Sequence, residues 1–180
     1  MEYTIVRSRR KTIAIQITPD GRVLVRCPNR IAAKEVQAFV QSRAQWIERN
    51  LARISAMPQL PKLTPEELRD LTFQARDMIP GRTALLARQM GVSFGRISIR
   101  HQHTRWGSCS SKGNLNFNCL LMLAPPEVLD YVIIHELCHR KEMNHSAKFW
   151  TEVETHMPDY PRHKNWLKEH GPGLMARLPE

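Results

Sequence analysis

Long hydrophobic runs are missing from this sequence of 180 residues. None approaches the roughly 20 apolar residues a spanning helix needs, so no membrane segment is expected. Cysteine is sparse: Cys27, Cys109, Cys119 and Cys138 form no CxxC pair and no disulfide framework. They are expected to be reduced thiols, small buried hydrophobes of a cytoplasmic protein. Internal repeats and low-complexity tracts are absent, which excludes solenoids and compositionally biased linkers. No P-loop glycine pattern occurs, and no helix-turn-helix, zinc-finger or RNP pattern points to sequence-specific nucleic-acid binding. The start, Met1 to Val6, sets no basic stretch ahead of an apolar one, so a secretory signal is not expected.

Acidic residues are also few, 17 against 27 Lys and Arg, for a formal net charge of +10. The excess is uneven. Residues 1–55 hold 11 basic and 4 acidic side chains, a net of +7, which leaves +3 for the rest. Such a basic surface attracts an anionic partner: nucleic acid, nucleotide or an acidic polypeptide. With 42% hydrophobic and 24% charged residues the chain has enough apolar material to fold. Its length suits one domain, or a small domain with an appended module.

Periodicity divides the chain. Ile13, Ile15 and Ile17 alternate, and Val23 and Val25 alternate after Pro19-Asp20-Gly21, which predicts a β-hairpin; Tyr3 to Val6 supplies a neighbouring strand. Val36, Phe39, Val40, Arg43, Trp46, Ile47 and Leu51 recur at helical spacing, predicting one helix from about Ala32 to Ser55. Met57-Pro58-Gln59-Leu60-Pro61 is a stiff connector. Thr64-Pro65-Glu66-Glu67 then reads as an N-cap, a first-turn proline and a capping-box glutamate. They open a helical region expected to break near Pro80-Gly81 and to end before Gly91. Arg96 to Arg100 and Asn114 to Asn118 alternate as strands, separated by a Gly- and Ser-rich turn. A helix is expected from about Pro126 to Met143, and further helix beyond it with breaks at Pro158 and Gly171.

The chemistry concentrates in His135-Glu136-Leu137-Cys138-His139. On a helix, His135 and His139 lie one turn apart on the same face, so both imidazoles reach a single ion. Glu136 lies beside that face, where its carboxylate can take a proton from metal-activated water. A single tetrahedral zinc ion takes three protein ligands and keeps one position open. Glu142 lies about 10 Å along the axis from His135 on a continuing helix, too far to share the ion. Glu152 and Glu154 are alternatives from a following helix. His145 is preferred, provided that the chain turns back near Met143-Asn144, with Asn adopting the left-handed conformation. The His135–His139–His145 spacing matches the metzincin pattern, but Glu142 stands where that pattern has glycine, and spacing alone does not support membership.

Arg105-Trp106-Gly107-Ser108-Cys109-Ser110, Asn114 to Asn118, His135 to His139, Asn144-His145-Ser146 and Phe149-Trp150 resemble the YgjP-like metal-dependent hydrolases. So do Arg9 to Thr12, Asp20-Gly21 and Trp46-Ile47. These bacterial proteins are classed as zincin metallopeptidases related to the SprT-type proteases. The resemblance implies an α+β fold: a zincin-like catalytic core at 62–180, its H-E-x-x-H helix beside a small antiparallel sheet, preceded by a basic hairpin-and-helix module at 1–57. It also implies His135, His139 and His145 as metal ligands and Glu136 as the catalytic glutamate.

The expected activity is a zinc-dependent metallopeptidase with one ion, acting on a polypeptide through metal-activated water, with Glu136 as general base. The resemblance also implies an alternative, hydrolysis of UTP to UMP and pyrophosphate, for which Mg2+ or Mn2+ replaces zinc. A third reading makes the basic module a nucleic-acid-associated element that recruits a protease. Arg105, suited to hold a carboxylate or phosphate bidentately, and Asn116 and Asn118 are candidate substrate-binding residues. In zincins an edge strand beside the active-site helix binds extended substrate, and Asn114 to Asn118 is the candidate for it.

Overall fold

Alternation in the first 30 residues resolves into three strands, β1 (Thr4–Ser8), β2 (Ala14–Ile17) and β3 (Val23–Pro28). The order is β1-β3-β2, with β1 parallel and β2 antiparallel to β3. Gly21 closes the β2–β3 turn at φ 83°, a conformation glycine takes without a steric cost. Val23, Val25 and Cys27 point inward from β3 and are buried with Val36, Val40 and Ile47. The computed structural model describes residues 2–18, 20–56 and 60–179, so Pro19 of the turn and Met57, Pro58 and Gln59 of the connector lie outside the described residues. The chain divides into two units, residues 1–59 and 60–180.

In the first unit the expected single helix is two, α1 (Ala33–Ser42) and α2 (Ala44–Ser55), parted at Arg43 with φ −114° and ψ 8°. A straight helix over 32–55 would run about 36 Å. A six-residue strand spans about 20 Å. The bend lets Val36 and Val40 on one helix and Ile47 on the other cover one small sheet. Trp46, expected on the apolar stripe, is instead 44% exposed.

The second unit begins with α3 (Pro65–Met90). Thr64 caps it: its hydroxyl accepts from Glu67 N at 3.2 Å, while Glu67 Oε2 accepts from Thr64 N at 2.7 Å. The helix runs through Pro80-Gly81 without the expected break. A proline removes one ladder bond, and buried Ala75, Ile79, Thr83 and Leu86 hold both sides of it to the core. Gly91 ends α3 in the left-handed conformation, φ 65°.

A second sheet follows, from β4 (Ile97–Arg100), β5 (Gly107–Cys109) and β6 (Leu115–Asn118). Its order is β4-β6-β5, and it is mixed rather than antiparallel, because β4 runs parallel to β6. β6 is therefore the central strand. That corrects the expectation that Asn114 to Asn118 forms the edge. Strand order is a long-range property, and local alternation in β6 is equally compatible with either position.

Cys119–Leu123 forms a 3₁₀ turn leading to α4 (Pro126–Cys138), which is apolar nearly all round and buried at Val128, Leu129, Tyr131 to Ile134 and Glu136 to Cys138. Arg82 of α3 donates to Asp130 of α4 through Nε at 2.6 Å and through Nη2, tying the two helices together. α5 (Ala147–His156) and α6 (Tyr160–Ala176) complete the unit, parted at Pro158 as expected. Gly171 lies inside α6 instead of ending it, and a Cβ there would sit 3.2 Å from the Trp106 indole. No described helix is long and apolar enough to cross a membrane.

Candidate metal centre

Helix α4 ends at Cys138, five residues before the expected Met143, and His139 forms its C-cap. Arg140 N and Lys141 N still donate to Leu137 O and Cys138 O, at 2.9 and 3.0 Å. The chain then reverses through 142–146. It does so without a left-handed residue, since among the described residues only glycines have positive φ. Asn144 contributes its carbonyl, which accepts from Ser146 N at 2.8 Å, and Ser146 caps α5. The early helix end and the reversal carry His145 back over α4.

His135, His139 and His145 thereby converge, their candidate ligand atoms all within 4.8 Å of one another. The Nε2 atoms of His135 and His145 are 2.9 Å apart. His139 Nδ1 lies 3.0 Å from Glu142 O. A carbonyl only accepts, so Nδ1 carries the proton and the Nε2 lone pair is left toward the cluster. Glu142 thus contributes its backbone, not its carboxylate. Phe149 of α5 floors the site, its ring 4.6 Å from that of His139 and 4.8 Å from that of His145.

Burial shapes the electrostatics. It pushes His135 down to about 3, helped by the neighbouring His139 and His145 and by Lys164, and it lowers His139 as well. Neutral imidazoles are the form that ligates a metal. Burial also raises Glu136 to about 8, with the charge of Arg105 pulling the other way. Glu136 is 5% exposed. Its Oε2 and the His135 Nδ1 are buried without a hydrogen-bond partner. A buried carboxylate oxygen without a partner is costly unless a ligand or water engages it. The residues present fit a borderline divalent ion: the cluster offers three imidazoles, and no carboxylate joins them among the described residues.

Glu136 lies against β5. A Cβ on Gly107 would sit 2.6 Å from Oε1 and 2.8 Å from Cγ of Glu136, so only glycine fits there. Arg105 is exposed and precedes that strand. Asn116 lies on β6, its Nδ2 donating to Ser108 Oγ at 3.1 Å and its Oδ1 accepting from Arg100 Nε at 3.4 Å. Asn118 is 1% exposed, and its Nδ2 donates to Gln102 O and Arg105 O while its Oδ1 accepts from Leu120 N. That leaves Asn118 with no free group for substrate and makes it the clamp on the 102–105 loop.

Glu152, the other carboxylate considered as a ligand, pairs with Lys141 and His156, and Glu154 is exposed outside the cluster. His101 meets Thr72 Oγ1 at 2.7 Å, His163 meets Asp159 at 3.0 Å, and His170 Nδ1 meets Trp166 O at 3.0 Å. Sequence reasoning missed β5, the contact of Gly107 with Glu136, and Lys164, whose Nζ stands over Trp150. The strand was hidden because Gly107-Ser108-Cys109 carries neither β-branched residues nor apolar alternation.

Among curated proteins, none matches this chain. Two solved structures resemble part of it. One is the metallopeptidase zymogen abylysin of Pyrococcus abyssi, 22% identical with a TM-score of 0.46, covering 51% of this chain and 94% of that one. The other is the metallopeptidase zymogen jannalysin of Methanocaldococcus jannaschii, 21% identical with a TM-score of 0.45 and the same coverage. The family model of the YgjP-like metallopeptidase domain matches residues 11–72 and 63–170. The chain therefore belongs to the YgjP-like metallopeptidase family and is a metal-dependent hydrolase.

Proposed function

We propose that this protein is a zinc peptidase in which His135, His139 and His145 hold the ion and Glu136 is the general base. The convergence of three imidazoles within 4.8 Å, with a buried, unpartnered Oε2 on Glu136 next to His135 in the chain, carries this reading. A zinc ion bound there supplies Lewis acidity, bringing water to ionise near neutral pH and polarising a carbonyl oxygen. Glu136 takes a proton from the attacking water at Oε2, its unpartnered oxygen, and hands it to the leaving amine. Gly107 keeps the carboxylate in place from the strand side. Phe149 backs the imidazole rings with an apolar surface that excludes water.

Substrate enters along β5. In an antiparallel ladder, residues alternate between bonding the neighbour strand and facing away from it. Asn118 N donates to Trp106 O and Ser110 N to Asn114 O, so the backbone groups of Gly107 and Cys109 face away from β6. No described strand covers that side. An extended peptide pairing there lies beside Glu136.

Hydrolysis of UTP is the second reading, and the positive charge of Arg105 at Glu136 is the observation that favours it. Against it, hard cations prefer oxygen ligands, and the cluster is all nitrogen. The test is to purify the protein, measure bound metal, and assay an unfolded protein and a nucleoside triphosphate panel. Stoichiometric zinc with new amine termini supports the peptidase. Pyrophosphate release without proteolysis overturns it.

A further inference from the structure

Trp46 stands on the outer side of α2, 44% exposed, in the unit that carries most of the positive charge. Its setting separates it from a scattered apolar side chain. Arg43, Arg49 and Arg53 lie three residues before it, three after and seven after, spacings that share one helical face. Ile47 N donates to Arg43 O at 3.0 Å, so Arg43 belongs to the first turn of that helix. Side-chain bonds hold the face together. Asn50 Nδ2 donates to Trp46 O at 2.7 Å, and Arg53 Nη2 donates to Asn50 Oδ1 at 3.1 Å. Arg49 Nε donates to Gln45 O at 3.2 Å, and the Arg43 guanidinium stands 6.0 Å from the centre of the Phe39 ring.

No acid answers these cations. Glu48 is the one acid of α2, and two residues from Trp46 it points to another side of the helix. Among the described residues none of the three arginines forms an ion pair. Ile47, by contrast, is fully buried with Val23, Val25 and Cys27 of β3. The helix thus turns an aliphatic side to its own sheet and an indole among guanidiniums outward.

Charge of this sign attracts several kinds of anion, and the indole decides among them. Docking on a membrane surface needs a broad apolar face to insert, and Trp46 is the single exposed large hydrophobic residue of α2. An acidic polypeptide brings carboxylates but no flat ring. A nucleic-acid duplex keeps its bases stacked on one another. A single strand offers phosphates to the guanidiniums and a free π-face to the indole.

We propose that the outer face of α2, formed by Arg43, Trp46, Arg49 and Arg53, binds single-stranded nucleic acid. The indole stacks on a base, and the guanidiniums take the flanking phosphates. From Arg43 to Arg53 the face is about 15 Å long, room for a few nucleotides. Stacking accepts any base, so binding is without sequence preference. The inference does not rest on the peptidase reading, because no residue of this face belongs to the histidine cluster.

The test uses the full chain and fluorescein-labelled twelve-nucleotide strands of deoxythymidylate or uridylate, read by anisotropy across a salt series. Kd is expected on the order of micromolar at low salt and to weaken as salt rises. Trp46→Ala should weaken binding about tenfold to a hundredfold, with Trp46→Phe in between. Arg49→Gln should lower the slope of log Kd against log salt by about 0.7, the share of one phosphate contact. Trp46 and Arg49 are exposed, so these variants should unfold at the wild-type temperature. Quenching of indole emission by the unlabelled strand should be largely lost in Trp46→Phe. Tighter binding of one strand type assigns DNA or RNA, and binding by Glu136→Gln should equal that of wild type. Unchanged affinity in Trp46→Ala overturns the proposal. So does equal binding of a duplex, of polyglutamate of matched charge, or of phosphatidylserine vesicles.

Discussion

The Cα of Gly107 packs so closely on Glu136 that a Cβ there would lie 2.6 Å from Oε1 and 2.8 Å from Cγ. Replacing Gly107 with Ala forces the Glu136 side chain away while the three imidazoles keep their places. Displacement of a catalytic group by about 1 Å costs on the order of a hundredfold in rate. Gly107→Ala is therefore expected to lose about a hundredfold in kcat/KM and to retain its metal, measured by mass spectrometry of the purified protein.

Metal removal tests the ligand set without relying on activity. A ligand that binds only the folded state adds about 4 kcal/mol of stability at a thousandfold excess over its Kd. Zinc is expected to raise the Tm of the apoprotein markedly. His145 is exposed, so His145→Ala keeps the apo Tm, but it should show a much smaller zinc-induced rise. A rise equal to that of wild type would move the third ligand elsewhere.

The legible parts of the site are local. His135, Glu136 and His139 share one turn of helix, so their spacing alone places them. The same chemistry selects His145, yet the way the chain turns back is not written locally: α4 stops at Cys138, and Asn144 is not left-handed. The Thr64 capping box and the Gly91 stop are written in residues next to the bonds they make. Pro80 does not break α3, because the helix is held by distant core contacts and not by its own propensity. The place of β6 at the centre of its sheet depends on β4 and β5, separated from it in sequence, and alternation within β6 says nothing of that.

Gly91 offers a clean stability measurement. Its φ is 65°, and no atom lies within 4 Å of where a Cβ would stand. Gly91→Ala thus adds backbone strain without a clash, costing about 1 kcal/mol. Thermal unfolding should show a Tm about 2–4 °C lower.

Glu152 predicts a pH dependence. Its hydrogen bond from Lys141, aided by His156, holds its carboxyl below the ordinary value of 4.5. A carboxylate with a depressed folded pKa contributes stability that is present above its unfolded pKa. That contribution fades as pH falls below 4.5 through the folded value. Wild type should be more stable than Glu152→Gln at neutral pH, and their Tm values should converge in acid.

The most direct measurement compares wild type with Glu136→Gln, both with zinc content determined, on an unfolded protein substrate. Removing the proton acceptor while leaving the imidazoles intact should keep one zinc per chain and abolish the release of new amine termini. Peptide cleavage by Glu136→Gln at the wild-type rate would contradict the account.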